Sequence, residues 1–396
     1  MSCTSWDKFA AGMAIVAGLG CGGASAQKFD LKISGDVYSE FAFVSSDKDA
    51  GMRSTEMTNR FRLVLQPIAK ADNGLEYGAR LRIRAAGGNG SVDNDRAFLF
   101  VNGSFGTIQA GLNSGLGGAT LLNYQAPLDY QLLTLTDDAI GFITAQTVTG
   151  NVVRGADTAS ALTFNTLTAR YPSPNGTTTK LTYYSPSFSG VQAAFTYTPR
   201  SDSSNTDVNR VKAVDAGPTA AQRVFMDIVE SALIYDGKWD KWYVKANAHF
   251  AFGRPADSGA NPAGFKPLRV WEMGGQVGYG PWSVGGGYLN SGETGQSKAA
   301  AARRADGSVW HAAAQYNAAP WTVGFGYQRG VDAGSLAVAG SRKLDLYDVG
   351  FLYQIAPGLR AGAQYNYYKA VSDQTTRTLD RNDKGSVVMI RSALTF

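Results

Sequence analysis

Apolar and polar residues alternate with a period of two along most of this chain, the spacing of extended strands with two unlike faces. In residues 321–328, Trp321, Val323, Phe325 and Tyr327 form one face, and Thr322, Gly324, Gly326 and Gln328 form the other. Leu359, Ala361, Ala363, Tyr365 and Tyr367 likewise oppose Arg360, Gly362, Gln364 and Asn366. Trp271, Met273, Val277 and Tyr279 oppose Glu272, Gly274 and Gln276, and Trp282, Val284 and Tyr288 share a face. Short turns flanked by aromatics recur at 235–239, 279–282, 316–321 and 353–358, with longer polar loops at 255–267, 293–306, 332–342 and 372–383 between them. Short turns alternating with long loops predict antiparallel strands whose two ends differ. Sixteen are expected, near 31–45, 53–69, 75–86, 94–103, 106–112, 177–186, 190–199, 223–238, 241–253, 269–280, 282–291, 308–318, 321–331, 343–355, 358–370 and 384–396.

A soluble β-sandwich would alternate in the same way. Aromatics gathered at strand ends, as at the two interfaces of a bilayer, and a glycine-rich polar opposite face favour a transmembrane antiparallel β-barrel with a wet lumen. A closed barrel also leaves no unpaired backbone in lipid.

Composition supports this choice. Charged residues make up 17% and aromatics 11%, with 47 glycines in 396 residues, and the mean hydropathy is -0.17. Aromatic richness excludes a disordered chain. Beyond residue 26 there is no uncharged apolar run of about 18 residues, which excludes a helical membrane bundle. The net charge of +5 is too slight for a nucleic-acid partner. An uncharged stretch from Phe9 ends in Ala24, Ser25 and Ala26, an A-x-A-like cleavage signal. Residues 1–26 are therefore expected to be a secretory signal peptide and 27–396 the barrel. Both cysteines, Cys3 and Cys21, fall in the leader, so no disulfide is expected in the mature chain.

Residues 113–176 fit no hairpin repeat. An insertion of this length in a compact fold is usually functional, and in a barrel with a wide lumen it is expected to fold inward. Catalytic signals are lacking: there is no G-x-S-x-G or H-E-x-x-H motif. His249 and His311 are too few for a histidine-rich metal site and are expected at the lumen or a rim. No cofactor, metal or catalytic residue is predicted. The arginines carry more information. Period two puts Arg80, Arg82 and Arg84 on one face of a strand, and Arg60 and Arg62 on one face of the strand before it. A charge on the lipid face would cost about 2–4 kcal/mol at mid-membrane, so these five should point into the lumen. Asp129, Asp137 and Asp138 in the insertion would then supply acids facing them across a constriction, a transverse field that favours polar solutes.

At this point the sequence resembles the trimeric general porins of Gram-negative outer membranes, particularly the alphaproteobacterial type. The resemblance rests on residues 60–63 (Arg-Phe-Arg-Leu), 74–84, 96–111, 184–190 and the terminal Ser-Ala-Leu-Thr-Phe. Phe396, with Leu394, Ile390 and Val388 before it, looks like the outer-membrane assembly signal; Ser392 departs from that pattern. The resemblance implies an all-β, sixteen-stranded transmembrane barrel in the outer membrane, a homotrimer, and a third loop folded into the pore opposite a basic wall. It further implies outer-membrane lipid and the outer-membrane assembly machinery as partners, and passive diffusion of small hydrophilic solutes and ions. A porin selective for sugars or for an anion such as phosphate is the alternative, with Tyr368 and Arg360 as lumenal candidates. A plugged barrel acting as adhesin or rim enzyme ranks lower.

Overall fold

The computed structural model describes residues 29–47, 52–85, 92–117, 121–129, 131, 142, 146–148, 151–153, 177–212, 224–257, 263–298, 306–333, 340–372 and 382–396. The expected leader and the acids Asp137 and Asp138 lie outside the described residues.

Sixteen antiparallel strands close into one barrel. They are β1 (Asp30–Ser46), β2 (Thr55–Lys70), β3 (Glu76–Ala85), β4 (Val92–Gly103), β5 (Gly106–Ser114), β8 (Thr177–Tyr184), β9 (Val191–Arg200), β10 (Phe225–Trp239), β11 (Trp242–Pro255), β12 (Leu268–Tyr279), β13 (Trp282–Gly292), β14 (Gly307–Ala318), β15 (Trp321–Asp332), β16 (Arg342–Ala356), β17 (Leu359–Ser372) and β18 (Asp383–Thr395). Each expected strand has its counterpart, with ends displaced by no more than about two residues. Two further three-residue strands, β6 (Gln146–Val148) and β7 (Asn151–Val153), pair with each other inside the long insertion, apart from the barrel. Every barrel strand pairs with its neighbours in sequence, β5 pairs with β8 across the insertion, and β1 pairs with β18 to close the ring.

Side-chain burial is inverted relative to a soluble protein. Phe195, Leu233, Val284, Phe325 and Ile390 are exposed on the outer face, while Thr196, Glu230, Asn247, Gln328, Asp348 and Asn366 are buried on the inner one. In water so large an exposed apolar surface would drive association, whereas in hydrocarbon it is the solvated state. Outward aromatics form two belts. At the short-turn end Trp242 packs on Tyr279, Trp282 on Tyr316 and Trp321 on Tyr353, with ring centroids 4.6, 4.5 and 4.3 Å apart. Toward the long loops Trp271 packs on Tyr288 and Trp310 on Tyr327, at 5.3 and 4.7 Å. Belts of this kind sit at the two bilayer interfaces.

The closing seam carries its own polar link. Glu40 on β1 and Arg391 on β18 are register partners, form an ion pair, and are both buried. The Tyr38 ring lies between the guanidinium groups of Arg60 and Arg391, 4.5 and 4.8 Å from its centroid. Phe396 continues the ladder beyond the last strand. Its N–H donates to the Gly35 carbonyl at 3.1 Å, and its carbonyl accepts from the Gly35 N–H at 2.8 Å. Val388, Ile390, Leu394 and Phe396 all face outward and are exposed.

Candidate functional site in the barrel lumen

Strand register places the predicted arginines together. Asp36 pairs with Arg62 and Tyr38 with Arg60 between β1 and β2, while Arg62 pairs with Arg84 and Val64 with Arg82 between β2 and β3. Inward positions therefore align laterally, and Arg60, Arg62, Arg80, Arg82 and Arg84 form one lumenal wall. Arg96 on β4, opposite Arg82 in register, extends it, and sequence reasoning did not single it out. Lys180 on β8 extends it further, its ammonium donating to the Asn113 carbonyl.

Among the described residues, the carboxylates closest to this wall come from neighbouring strands. Asp36 accepts from Arg60 Nη2 at 3.1 Å and from Arg62 Nε at 2.6 Å. Asp95 accepts from Arg82 Nε at 2.6 Å and Nη2 at 2.5 Å, and lies 3.4 Å from Arg84 Nη1. Paired N–H bonds of this kind fix the guanidinium plane. Period two in the sequence does not reveal Asp95, because the register of β3 and β4 shifts between Arg82 and Ile83. Such a bulge sends two adjacent residues toward one face. Asp36 lies at an inward position of β1, register partner of Arg62. Among the described residues Arg80 has no ion-pair partner. The wall thus keeps a surplus of positive charge.

Described residues of the insertion run along the inner face of the other strands. Leu121 packs with Leu116, Ala194, Ala232 and Ile234. Leu122, Ala126 and Leu128 join a cluster with Phe225, Ile228, Leu268, Val270 and Val309 on β10–β14. Burying each of these leucines contributes about 1.5–3 kcal/mol. Further on, Gln131 donates to Asp348 on β16, and Phe142 packs against Leu344, Leu346, Tyr368 and Val387. Polar anchors reinforce the apolar ones. Gln125, in the single helical turn Leu122–Gln125, bonds to His311 Nε2 at 2.6 Å, and Gln276 donates to the Asn123 carbonyl. Gly274, Gly285 and Gly287 make the notch that holds Gln125, since a Cβ at any of them would run into it. Beside the notch lie Glu230, His249 and Glu272, on three adjacent strands and almost fully buried, with His249 Nε2 3.2 Å from Glu230. Both histidines are buried on the lumen side, and Gln125 of the insertion bonds to His311.

Asp129 remains exposed and accepts from Gln315 Nε2 on β14 at 3.0 Å. Around the ring, β14 and β4 are eight strand steps apart in either direction, so Asp129 is held across the lumen from the arginine wall. Of the three predicted acids it is the one the structure describes. The inner faces differ accordingly. The side chains of Arg60, Arg62 and Arg84 are 21%, 25% and 44% exposed, whereas Gln315, Gln328 and Asp348 on β14–β16 are buried. Tyr368 is lumen-side but buried, its hydroxyl donating to Asp383 at 2.8 Å, so it offers no face on which a sugar could stack.

A closed sixteen-stranded barrel with an apolar exterior, two aromatic belts and a polar, charge-lined interior defines a transmembrane channel of the outer-membrane type. The chain belongs to the Gram-negative porin family, whose model matches residues 11–373. It is similar in structure to an anion-selective porin from Comamonas acidovorans, at 14% identity over 93% of this chain and 100% of that one, with a TM-score of 0.59. It is also similar to a loop L8 deletion mutant of OmpT, an outer membrane protein of Vibrio cholerae, at 14% identity over 93% and 99%, TM-score 0.57. A mutant of the Rhodopseudomonas blastica porin matches at 16% identity over 93% and 100%, TM-score 0.51. No curated protein sequence matches the chain. Membership of this family makes the protein a passive channel of the Gram-negative outer membrane.

Proposed function

We propose that the channel admits small hydrophilic solutes, is sieved by the inward segment and is biased toward anions by its arginine wall. One observation supports the reading: the described residues of the insertion pack on the inner face of β9–β14, while Arg60, Arg62 and Arg84 keep part of their exposure. A solute of either sign then passes a surface with more guanidinium groups than carboxylates. Charge lining of this kind selects by sign without a binding step. The likeness to a porin described as anion-selective supports the same sign. Homotrimeric assembly, a role for Phe396 in recognition by the assembly machinery, and removal of residues 1–26 on export belong to this reading as expectations of the family.

Planar-bilayer recording of refolded protein across a salt gradient tests it. The expected reversal potential has the sign of anion preference, and conductance steps arrive in threes. Replacing Arg80, Arg82 and Arg84 together with alanine should move the potential toward zero while the barrel still inserts. A cation-signed potential, or one unmoved by the triple replacement, would overturn the charge assignment.

A further inference from the structure

The insertion leaves the sheet after Ser114 on β5 and rejoins it at Thr177 on β8, and these two residues are register partners. One guanidinium is bonded to both. Arg96 on β4 donates through Nη1 to Thr177 Oγ1 at 3.0 Å and to the Asp95 carbonyl, and through Nη2 to the Ser114 hydroxyl. A second cation holds the residue before Ser114: buried Lys180 on β8 donates to the Asn113 carbonyl. The Asn113 side chain is locked in turn, donating to Gln109 Oε1 at 2.7 Å and accepting from the Ser114 N–H at 2.8 Å.

These contacts stand where the inward segment takes its direction. Leu116, two residues beyond Ser114, is already buried with Ala194, Ala232 and Ile234 on β9 and β10. A change of angle at the root is therefore carried into the part of the segment that lines the lumen. The oxygens that Arg96 bonds are two hydroxyls and a carbonyl, so the bonds orient the guanidinium without cancelling its charge. Its donors lie in one rigid plane and can hold two chains at once, whereas an ammonium is a point charge on a flexible stem.

We propose that Arg96 is a positioning residue for permeation: with Lys180 it clamps both ends of the insertion and so sets the size limit of the pore, while the arginines beside it set the sign. The assignment rests on the reading of the inward segment as the sieve. It divides one basic wall into two tasks. Charge-assisted bonds to the backbone and hydroxyls of the root hold the aperture, and the remaining guanidinium groups face the solute.

The test reads size and sign separately in the refolded protein, by liposome swelling with mono- to tetrasaccharides and by reversal potential across a salt gradient. Arg96→Lys keeps the charge but loses the fork that reaches both chains. Tri- and tetrasaccharides should pass several-fold faster, while the reversal potential keeps its sign. Ser114→Ala/Thr177→Ala leaves Arg96 in place, removes its hydroxyl acceptors and should widen the limit in the same way. Ser114→Cys/Thr177→Cys in the Arg96→Lys background should restore the original limit when oxidised and lose it on reduction, an effect absent from Arg96→Lys alone. Recovery through a cross-link at the root separates a clamp from a general loss of stability. Leu122→Asp/Leu128→Asp, which unseats the segment further along, is measured beside them. If it widens the limit and the root variants do not, the clamp is wrong and the sieve stands; if no variant widens it, both are wrong. A shifted potential at an unchanged size limit in Arg96→Lys would make Arg96 a wall cation alone and overturn the proposal. Heat-induced unfolding of each variant verifies that the barrel is intact.

Discussion

Single residues at two places hold the channel in its described form. Gln125 occupies a notch that exists because Gly274, Gly285 and Gly287 lack side chains, and it ties the inward segment to His311 on β14. Gly287→Leu fills that notch. The expected outcome is a higher single-channel conductance at unchanged barrel stability, since the displaced element is not part of the sheet; lowered conductance would mean the segment stays seated and the new side chain narrows the pore. At the seam, Glu40→Ala leaves the buried Arg391 guanidinium with the Tyr38 ring but without its carboxylate. Losing one partner of a buried ion pair costs about 3–5 kcal/mol, readable as a lower midpoint in denaturant unfolding from lipid vesicles. The double variant Glu40→Ala/Arg391→Met should recover most of that loss, because it removes both charges and leaves none unanswered.

At the scale of elements, sixteen strands were legible because each has one face in hydrocarbon, and lipid tolerates few exceptions to alternation. Trp321, Val323, Phe325 and Tyr327 announce β15 without help from any other part of the chain. Arg60, Arg62, Arg80, Arg82 and Arg84 were legible for the same reason, as charges that cannot face lipid. Asp95 was not, because the bulge beside Arg82 breaks the period that would have pointed to it. Residues 113–176 were the least readable part. What is described of them beyond the end of β5 is a helical turn, a hairpin of two three-residue strands and irregular backbone, none long enough to imprint a period, and the apolar residues described there pack largely on the barrel wall. That wall dependence is testable. Leu122→Asp/Leu128→Asp places two carboxylates in the cluster around Phe225, Leu268 and Val270, where unpaired charge is strongly disfavoured. The segment should leave the wall. Liposome-swelling assays should then show faster passage of tri- and tetrasaccharides with little change for monosaccharides.

For the whole molecule, the inverted distribution of polarity assigns two roles to one sheet: the outer face is solvated by lipid and the inner face sets the field a solute meets. That field should weaken with ionic strength. The Debye length falls from about 10 Å at 0.1 M salt to about 3 Å at 1 M, so the anion preference read from reversal potentials should shrink over that range, while a preference independent of salt would indicate a discrete binding step. The seam between β1 and β18 has a consequence of a different kind, in time rather than in space. Ser46 donates to Asp383 at 3.2 Å although the two are 337 residues apart in sequence. Hairpins between successive strands can zip locally and early, but this last pairing closes the longest loop in the chain and gains no energy until it is complete. Until then the sheet has two bare edges, each a template for a neighbouring chain. The barrel therefore has one slow step, the meeting of its first and last strands, and the half-built molecule is sticky for as long as that step is delayed.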